Sequence, residues 1–203
     1  MAARRAAQAV TLSNPSGTAL TITSIGFTGT NPGDFGQTNN CPVSPSTLAA
    51  NGTCTINVTF TPAATGTRGA TLTVTDNASN SPQTSSVSGA GVAPTATLSP
   101  TSLSFSKQNV NTTSAPKTVV LTNTGSAPLT VNSITITGTN ANNFALTSAS
   151  TCPLSGGTVA TQGNCTIVVT FTPTSKGGKT AAVSVADNAS GSPQQVSLSG
   201  TAH

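Results

Sequence analysis

The chain has 203 residues and a net charge of +4, and only 5% of its residues are charged, compared with about 25% in a typical soluble domain. Glu, Trp and Tyr are absent, whereas 40 Thr and 26 Ser give almost a third of the residues a hydroxyl group. Three widely spaced Asp residues and one histidine, the last residue, argue against a carboxylate pair, a His-based triad and a His-ligated metal, so we expect no enzyme, no cofactor and no metal site.

Residues 1–9, MAARRAAQA, show no strand pattern and no apolar segment of the kind that an export signal contains. Arg4 and Arg5 are the only adjacent basic residues in the chain, and the other basic residues are dispersed. We therefore predict no nucleic-acid interface. No run of 18 apolar residues occurs, so no membrane span is predicted either.

From Val10 onwards the sequence repeats itself. Residues 10–35, VTLSNPSGTALTITSIGFTGTNPGDF, align with residues 119–144, VVLTNTGSAPLTVNSITITGTNANNF, at an offset of 109. The segment that begins at Cys54, CTINVTFTPAATGTRGATLTVTDNASNSPQ, aligns with the one that begins at Cys165 at an offset of 111. Self-similarity of this extent indicates two copies of one module. The Gly- and Pro-containing segment 89–96 marks the boundary, which predicts domains at residues 1–91 and 92–203.

Each copy is predicted to be all-β. Apolar and polar residues alternate through residues 55–61 and 70–75, which sends apolar side chains to one face of a strand and hydroxyls to the other. No window of 11 residues has the apolar stripe of a helix. Seven strands are predicted in the second copy, near residues 96–106, 116–123, 127–137, 144–149, 163–173, 178–187 and 194–201. Seven strands in about 105 residues are typical of an immunoglobulin-like sandwich.

The first copy lacks the first of these strands. Ahead of Val119 lies a segment in which Leu103 and Phe105 alternate inward, whereas only residues 1–9, without a strand pattern, precede Val10. The predicted fold class is therefore all-β, with two tandem Ig-like β-sandwich domains, the first lacking its N-terminal strand. An edge without its neighbouring strand exposes unpaired backbone groups.

The four cysteines form two pairs with the same spacing of 13 residues, Cys41 with Cys54 and Cys152 with Cys165. Their even number and their repetition within the module favour one disulfide per domain, which would contribute roughly 3 kcal/mol for so short a loop. Two free buried thiols per domain are the alternative, and zinc is disfavoured because C-x2-C pairs and internal histidines are missing. Disulfides imply an oxidising compartment. Because no export signal is recognised, we expect the chain to be a mature or excised part of a longer protein.

Three further patterns have both a structural and a functional interpretation. The loops that begin with Asp76 and Asp187 would offer oxygen ligands to calcium, but a single carboxylate in each favours a turn. Arg68 and Lys179 occupy matching positions, which an acidic partner or, more simply, a solvated edge strand would explain. The phenylalanines predicted to lie in the core are Phe27, Phe35, Phe60, Phe144 and Phe171.

The motifs together resemble a known family. Segments of the type TLTNTGSAPLTV, TGTNxxxF, CTIxVTFTP and DNASGSPQxVSLSGTA make the chain similar to the bacterial choice-of-anchor D repeat. That repeat resembles the ASH domain, the Ig-like domain of abnormal-spindle and Hydin proteins, which is itself similar to major-sperm-protein and pilus-chaperone sandwiches. The resemblance covers all but residues 1–8. It implies a non-enzymatic β-sandwich, usually repeated, in large exported or surface proteins of bacteria, and it brings no catalytic residue with it.

Three functional hypotheses follow. As a structural or adhesive repeat module, the chain acts as a stalk or spacer of a bacterial protein at the cell surface or outside the cell. As a self-assembling filament subunit, it receives a strand in its first domain, and its partners are proteins or further copies bound through the open edge. The donor is then residues 1–9 or the first strand of a neighbour's second domain. As an adhesin, it binds a ligand through the loops at residues 28–53 and 137–164.

Overall fold

The computed structural model of the protein describes residues 6–203. Regular structure in this range is almost entirely β, with 3-10 turns at Pro32–Asp34 and Ala141–Asn143. The prediction of an all-β sandwich fold is confirmed. The chain divides into two compact units after Val92, and the second unit is Ala93–His203.

The first unit is a sandwich of two three-stranded antiparallel sheets. Its strands are β1 (Gln8–Ser13), β2 (Ile22–Thr28), β3 (Phe35–Asn39), β4 (Thr53–Phe60), β5 (Gly66–Asp76) and β6 (Gln83–Gly91). One sheet has the order β1-β4-β3 and the other has the order β2-β5-β6. Within the described residues, β1 and β6 are therefore both edge strands.

The second unit has the same arrangement of six strands and three further short ones. Its strands are β7 (Ala96–Ser99), β8 (Ser102–Ser104), β9 (Lys117–Asn123), β10 (Leu129–Thr137), β11 (Phe144–Leu146), β12 (Gly157–Val159), β13 (Asn164–Phe171), β14 (Gly177–Asp187) and β15 (Gln194–Ala202). The sheets have the orders β11-β13-β9-β7 and β12-β10-β14-β15-β8. β7 pairs with β9 in the antiparallel direction, and β8 pairs with β15 in the parallel direction. The segment ahead of β9 thus supplies an edge strand to both sheets.

Alternation along the strands builds the core of each unit. In β4 burial alternates along the whole strand, so that Ile56, Val58 and Phe60 face inward and the threonines face outward. Inward side chains on the pleated strands meet those of the facing sheet, which accounts for the apolar core and the hydroxyl-rich surface together. Four of the phenylalanines predicted to be core are buried, and Phe27 packs against the core while half-buried.

The structure corrects two details of the predicted strands. The strand predicted at residues 96–106 is interrupted, and its two parts, β7 and β8, join different sheets. Pro100 lies between the parts and has no amide hydrogen to donate to a ladder, so a single strand does not continue through it. β12 has no counterpart among the predicted strands, because three residues are too few to show alternation. An isolated bridge between Leu20 and Leu48 stands in its place in the first unit.

Candidate functional site: an open groove in the first unit

A groove runs between the edge strands β1 and β6 of the first unit. Its residues are Val10 and Leu12 on β1 and Ser85 and Val87 on β6, with Phe60 lining it from the interior. Two cavities make up the groove, of about 260 and 250 Å³, and they share Val10 and Ser85 as lining residues. The volume is in the range of small ligand pockets, but the groove is long and follows two strand edges.

The second unit shows what the same strands look like when they are covered. The matched pairs of residues are Val10 with Val119, Leu12 with Leu121, Ser85 with Val196 and Val87 with Leu198. The second-unit members are 0 or 1% exposed, whereas every first-unit member is partly exposed. Because the strands correspond, the difference arises from the chain that lies over them.

In the second unit the covering chain places a phenylalanine on two others. The Phe105 ring lies 5.8 Å from the Phe144 ring and 5.7 Å from the Phe171 ring, measured between centroids. In the first unit the matched rings of Phe35 and Phe60 lie 5.0 Å apart, close to the 4.9 Å that separates Phe144 from Phe171. In the first unit Phe27, at the position of Ile136, lies 5.9 Å from Phe35 between ring centroids. No described ring pairs with both Phe35 and Phe60 as Phe105 pairs with Phe144 and Phe171, and the cavity of about 260 Å³ lies beside both rings.

Backbone hydrogen bonds hold the covering chain to the edge of β15. The Ser197 N–H donates to the Thr101 carbonyl at 3.1 Å, and the Phe105 N–H donates to the Ser199 carbonyl at 2.7 Å. Ser86 and Ser88 match Ser197 and Ser199 and lie on the outer edge of β6. Edge groups of this kind are templates for a further strand.

The groove continues into a third cavity of about 480 Å³ beyond Asn14. In the second unit the matched Asn123 accepts a hydrogen bond from the Thr95 N–H at 3.3 Å. The Thr124 N–H in turn donates to the Thr95 carbonyl at 2.9 Å, and the Ser126 N–H donates to the Ala93 carbonyl at 2.9 Å. The chain that covers the second unit therefore begins at Ala93, and the three first-unit cavities follow its path.

Each unit contains one disulfide. The Cα atoms of Cys41 and Cys54 are 5.0 Å apart, and those of Cys152 and Cys165 are 4.9 Å apart. All four residues are buried. Each bridge ties a loop to the beginning of an inner strand, β4 or β13, so it holds the core and the adjacent loop together.

Arg68 and Lys179 do not lie on solvated edge strands, so that interpretation is wrong. Their strands, β5 and β14, each have a neighbour on both sides. Arg68 is largely covered, and its Nε forms an ion pair with the buried carboxylate of Asp34. Asp34 also accepts a hydrogen bond from the Ala63 N–H at 3.0 Å. The Arg68 hydrogen bond holds the pKa of Asp34 below its ordinary value, against the opposing effect of burial.

The second unit has no ion pair at the positions that match Asp34 and Arg68. Asn143 stands where the first unit has Asp34, and its side-chain oxygen accepts a hydrogen bond from the Thr174 N–H at 2.9 Å. Lys179 is buried and donates from Nζ to the Lys176 carbonyl at 3.0 Å. These cations thus serve the packing of their own units.

The Asp76 and Asp187 loops have the hydrogen bonds of turns. Asp76 Oδ1 accepts from the Ala78 N–H at 2.8 Å, and Asp187 Oδ1 accepts from the Ala189 N–H at 2.8 Å. Burial raises the pKa of Asp187, although the Ala189 hydrogen bond opposes this. In residues 6–203 no cluster of three or more Asp, Glu, His or Cys side chains has the arrangement of a metal site.

None of the helical segments in residues 6–203 has the length and hydropathy that crossing a bilayer requires.

The groove residues were only partly accessible to sequence reasoning. Phe35 and Phe60 are predicted as core, but Ser85 and Val87 belong to no motif. Only the alignment of the two copies distinguishes them, because Ser85 aligns with Val196, which is fully buried in the second unit.

Several solved structures are similar to the chain. The ASH / PapD-like domain of human CEP192 (PapD-like domain 7) is 16% identical with a TM-score of 0.39, over 53% of this chain and 84% of that one. A protein of unknown function from Porphyromonas gingivalis W83 is 13% identical with a TM-score of 0.44, over 95% and 90% of the two chains. The Pseudomonas aeruginosa CupB2 chaperone is 9% identical with a TM-score of 0.30, over 98% and 94%. None of the curated protein sequences compared with the chain matches it.

A family assignment comes from the second unit. The sequence model of the family described as "Abnormal spindle-like microcephaly-assoc'd, ASPM-SPD-2-Hydin" (ASH) matches residues 94–195, which is half of the chain. The matched range extends from the covering segment to the beginning of β15. ASH-type domains are generally non-catalytic. The chain belongs to the ASH family.

Proposed function

We propose that the chain is a non-enzymatic structural repeat module, a stalk or spacer in an exported bacterial surface protein. The observation that carries this proposal is the disulfide in each unit, because disulfides persist in oxidising compartments outside the cytosol. The family assignment supports a β-sandwich module without catalysis, and the resemblance to the choice-of-anchor D repeat supports export from a bacterial cell. The hydroxyl-rich strand faces suit a surface that stays in contact with water.

Two measurements test the proposal. Alkylation of the native protein followed by mass spectrometry should find four cysteines protected until a reductant is added, and four freely alkylated cysteines would contradict export. Small-angle scattering tests the spacer role, because a compact chain of this length has a radius of gyration of about 17 Å. A clearly larger value is expected of a spacer, and a value near that of a globule would refute it.

A second candidate function is the acceptance of a strand by the first unit, which would make the protein a self-assembling filament subunit if copies donate to one another. The open groove between β1 and β6 favours it, because edge strands bind further strands through their backbone groups. Size-exclusion chromatography with light scattering tests self-assembly directly. Oligomers that grow with protein concentration are expected of a filament subunit. A monomer at the highest concentration would refute self-assembly by strand donation between copies.

A further inference from the structure

We propose that one end of the second unit binds a linear anionic polysaccharide through three exposed lysines, Lys107, Lys117 and Lys176. We call this surface the basic end; it is the end at which β14 begins and β15 finishes. The proposal concerns the second unit alone and does not depend on the groove of the first unit. The choice of a polysaccharide rests on the proposed location outside the cell, whereas the gathering of the lysines does not.

The fold brings together lysines that are dispersed in the sequence. Lys176 lies in the loop that leads into β14, and the first residue of β14 pairs with Ala202 of β15. Lys107 lies beside the same end of β15, because the N–H of the next residue, Gln108, donates to the Thr201 carbonyl at 2.9 Å. The two lysines therefore flank the end of one strand, although they are far apart along the chain.

Lys117 adds a third exposed cation to the basic end. It is the first residue of β9, and its Nζ lies 5.9 Å from the centroid of the Phe105 ring. A cation at this distance from the face of an aromatic ring is attracted to it. Phe105 lies two residues ahead of Lys107 in the covering segment. The ammonium group of Lys117 is thus held over the same segment that carries Lys107.

A fourth lysine supports the basic end from below. Lys179 is buried, and its Nζ donates to the Lys176 carbonyl at 3.0 Å. This hydrogen bond ties β14 to the loop that carries Lys176. Because its side chain is covered, Lys179 does not contact a ligand, and its role is to position Lys176.

The second unit has no carboxylate side chain near these lysines. Within Ala93–His203, Asp187 is the only acidic residue. It lies at the opposite end of β14, which at the usual rise of a strand is about 26 Å from Lys179. The positive charge of the basic end is therefore available to a ligand.

The first unit shows that the fold itself does not require this charge. The matched pairs of residues are Lys117 with Gln8, Lys176 with Thr65 and Lys179 with Arg68. The first two pairs have a neutral side chain in the first unit. Arg68 is a cation, but its ion pair with Asp34 neutralises it. Packing of the sandwich therefore does not account for the two exposed lysines.

The surroundings of the lysines favour a polysaccharide over a protein. Protein interfaces usually have an apolar or aromatic centre in which Lys is depleted. Neither of the exposed large hydrophobic residues of the described chain, Val43 and Val92, lies in the second unit. Beside the lysines the exposed side chains carry hydroxyls, which can bond to sugar hydroxyls and ring oxygens. These residues are Ser106, Thr112, Thr113, Thr174 and Ser175.

The side chains also limit the kind of anion that is recognised. Single-stranded nucleic acids are held by bases that stack on exposed aromatic rings, and the three rings of the second unit, Phe105, Phe144 and Phe171, are buried. Lysine ammonium groups are compact point charges without the fork geometry of arginine. The basic end should therefore respond to the density of negative charge along a polymer and not to the shape of one anionic group.

The test measures binding of the full chain to dextran sulfate by isothermal titration calorimetry, with uncharged dextran of the same length as the control. Dextran sulfate should bind at about 0.01 M salt, where the Debye length is about 30 Å, and binding should weaken by about tenfold or more at about 1 M salt, where it is about 3 Å. Dextran should not bind. Absence of binding to dextran sulfate, or equal binding of the two polymers, would overturn the proposal.

Matched variants locate the binding surface. Lys107→Gln combined with Lys176→Gln should weaken binding by about fivefold or more at low salt, because two exposed charge contacts are lost. Arg4→Gln combined with Arg5→Gln lowers the net charge of the chain by the same amount and should weaken binding by less than about twofold. Arginine at positions 107 and 176 keeps the charge and should keep the affinity within about twofold. Equal effects of the two glutamine variants would overturn the location.

The unsubstituted chain supplies a second measurement, which does not depend on a variant folding. On addition of dextran sulfate, NMR amide signals of Ser106, Lys107 and Ser175 should shift, whereas those of Thr130 and Asn188, at the opposite end of the unit, should not. The reverse pattern would overturn the location. A polyglutamate peptide or a DNA duplex that binds as tightly as dextran sulfate would overturn the choice of a polysaccharide. Alkylation tests export separately, so a disulfide-bonded chain that does not bind dextran sulfate refutes this inference alone.

Discussion

Removal of the Phe105 ring tests whether the covering segment closes the second unit. The ring is 5% exposed and contacts two other buried rings, so Phe105→Ala leaves a cavity in an otherwise close-packed core. Substitutions of this kind cost about 3–5 kcal/mol. A small domain is stable by only about 5–15 kcal/mol, so the loss would be a large part of the total. With a urea dependence of about 2 kcal/mol per molar, the unfolding midpoint should fall by about 2 M.

The assay has to follow the two units separately. Trp and Tyr are absent, so intrinsic fluorescence is not useful, and amide signals in NMR spectra recorded across a urea titration report each unit. First-unit signals provide an internal control in the same sample. Ser104→Ala is the matched control, because Ser104 lies one residue away and faces outward, and it should change stability by less than about 0.5 kcal/mol. A cost below about 1 kcal/mol for Phe105→Ala would show that the ring does not close the core.

Other predictions concern the disulfides and the buried acids. Joint replacement of Cys41 and Cys54 by Ala should destabilise the first unit by about 3 kcal/mol in urea titrations, and no change would contradict a structural role for the bridge. Asp34 has a lowered pKa in the folded state, so its ionised form stabilises the first unit at pH values above the unfolded pKa. This stabilisation is lost as the pH falls through the folded pKa. Asp34→Asn should therefore flatten the acid dependence of the thermal melts, and an unchanged pH profile would refute the role of Arg68. Asp187 has a raised pKa, so the second unit should lose stability as the pH rises from the ordinary pKa of 3.8 through the raised pKa. Asp187→Asn should remove that loss of stability in the same melts. If the loss persists in the variant, another group causes it.

The sequence predicts the fold well because its signals are local. Alternation in β4 and β13 needs only neighbouring residues to be read, and the physical consequence, one face inward and one outward, is the same wherever the strand lies. The Cys41 and Cys54 pair is equally local, since 13 residues separate its members. The sheet that a strand joins cannot be read from neighbouring residues in the same way. β7 and β8 join different sheets because of which sheet edges are free, and that is a property of the assembled sandwich.

The ion pair between Asp34 and Arg68 could not be predicted from local sequence patterns. Asp34 and Arg68 are far apart in sequence, and neither lies in a charged motif. Arg68 is interpreted as an edge residue because a cation in a strand pattern is most often solvated, yet β5 is an interior strand. Comparison of the copies would have suggested a different environment, because Asn143 stands at the position of Asp34. Long-range pairing of this kind is fixed by the fold and not by local pattern.

The two walls of the groove differ in a way that bears on how tightly an occupant is held. On β1 the first unit keeps the residues of the second, with Val10 and Leu12 identical to their matches. On β6 it has Ser85 where the second unit has Val, and Val87 where the second unit has Leu. Each buried methylene contributes about 0.8 kcal/mol, so a strand seated on β6 gains less than the covering segment gains on β15. The same changes leave the empty edge less apolar and thus more soluble. The walls therefore predict that a given strand would bind more weakly on β6 than on β15.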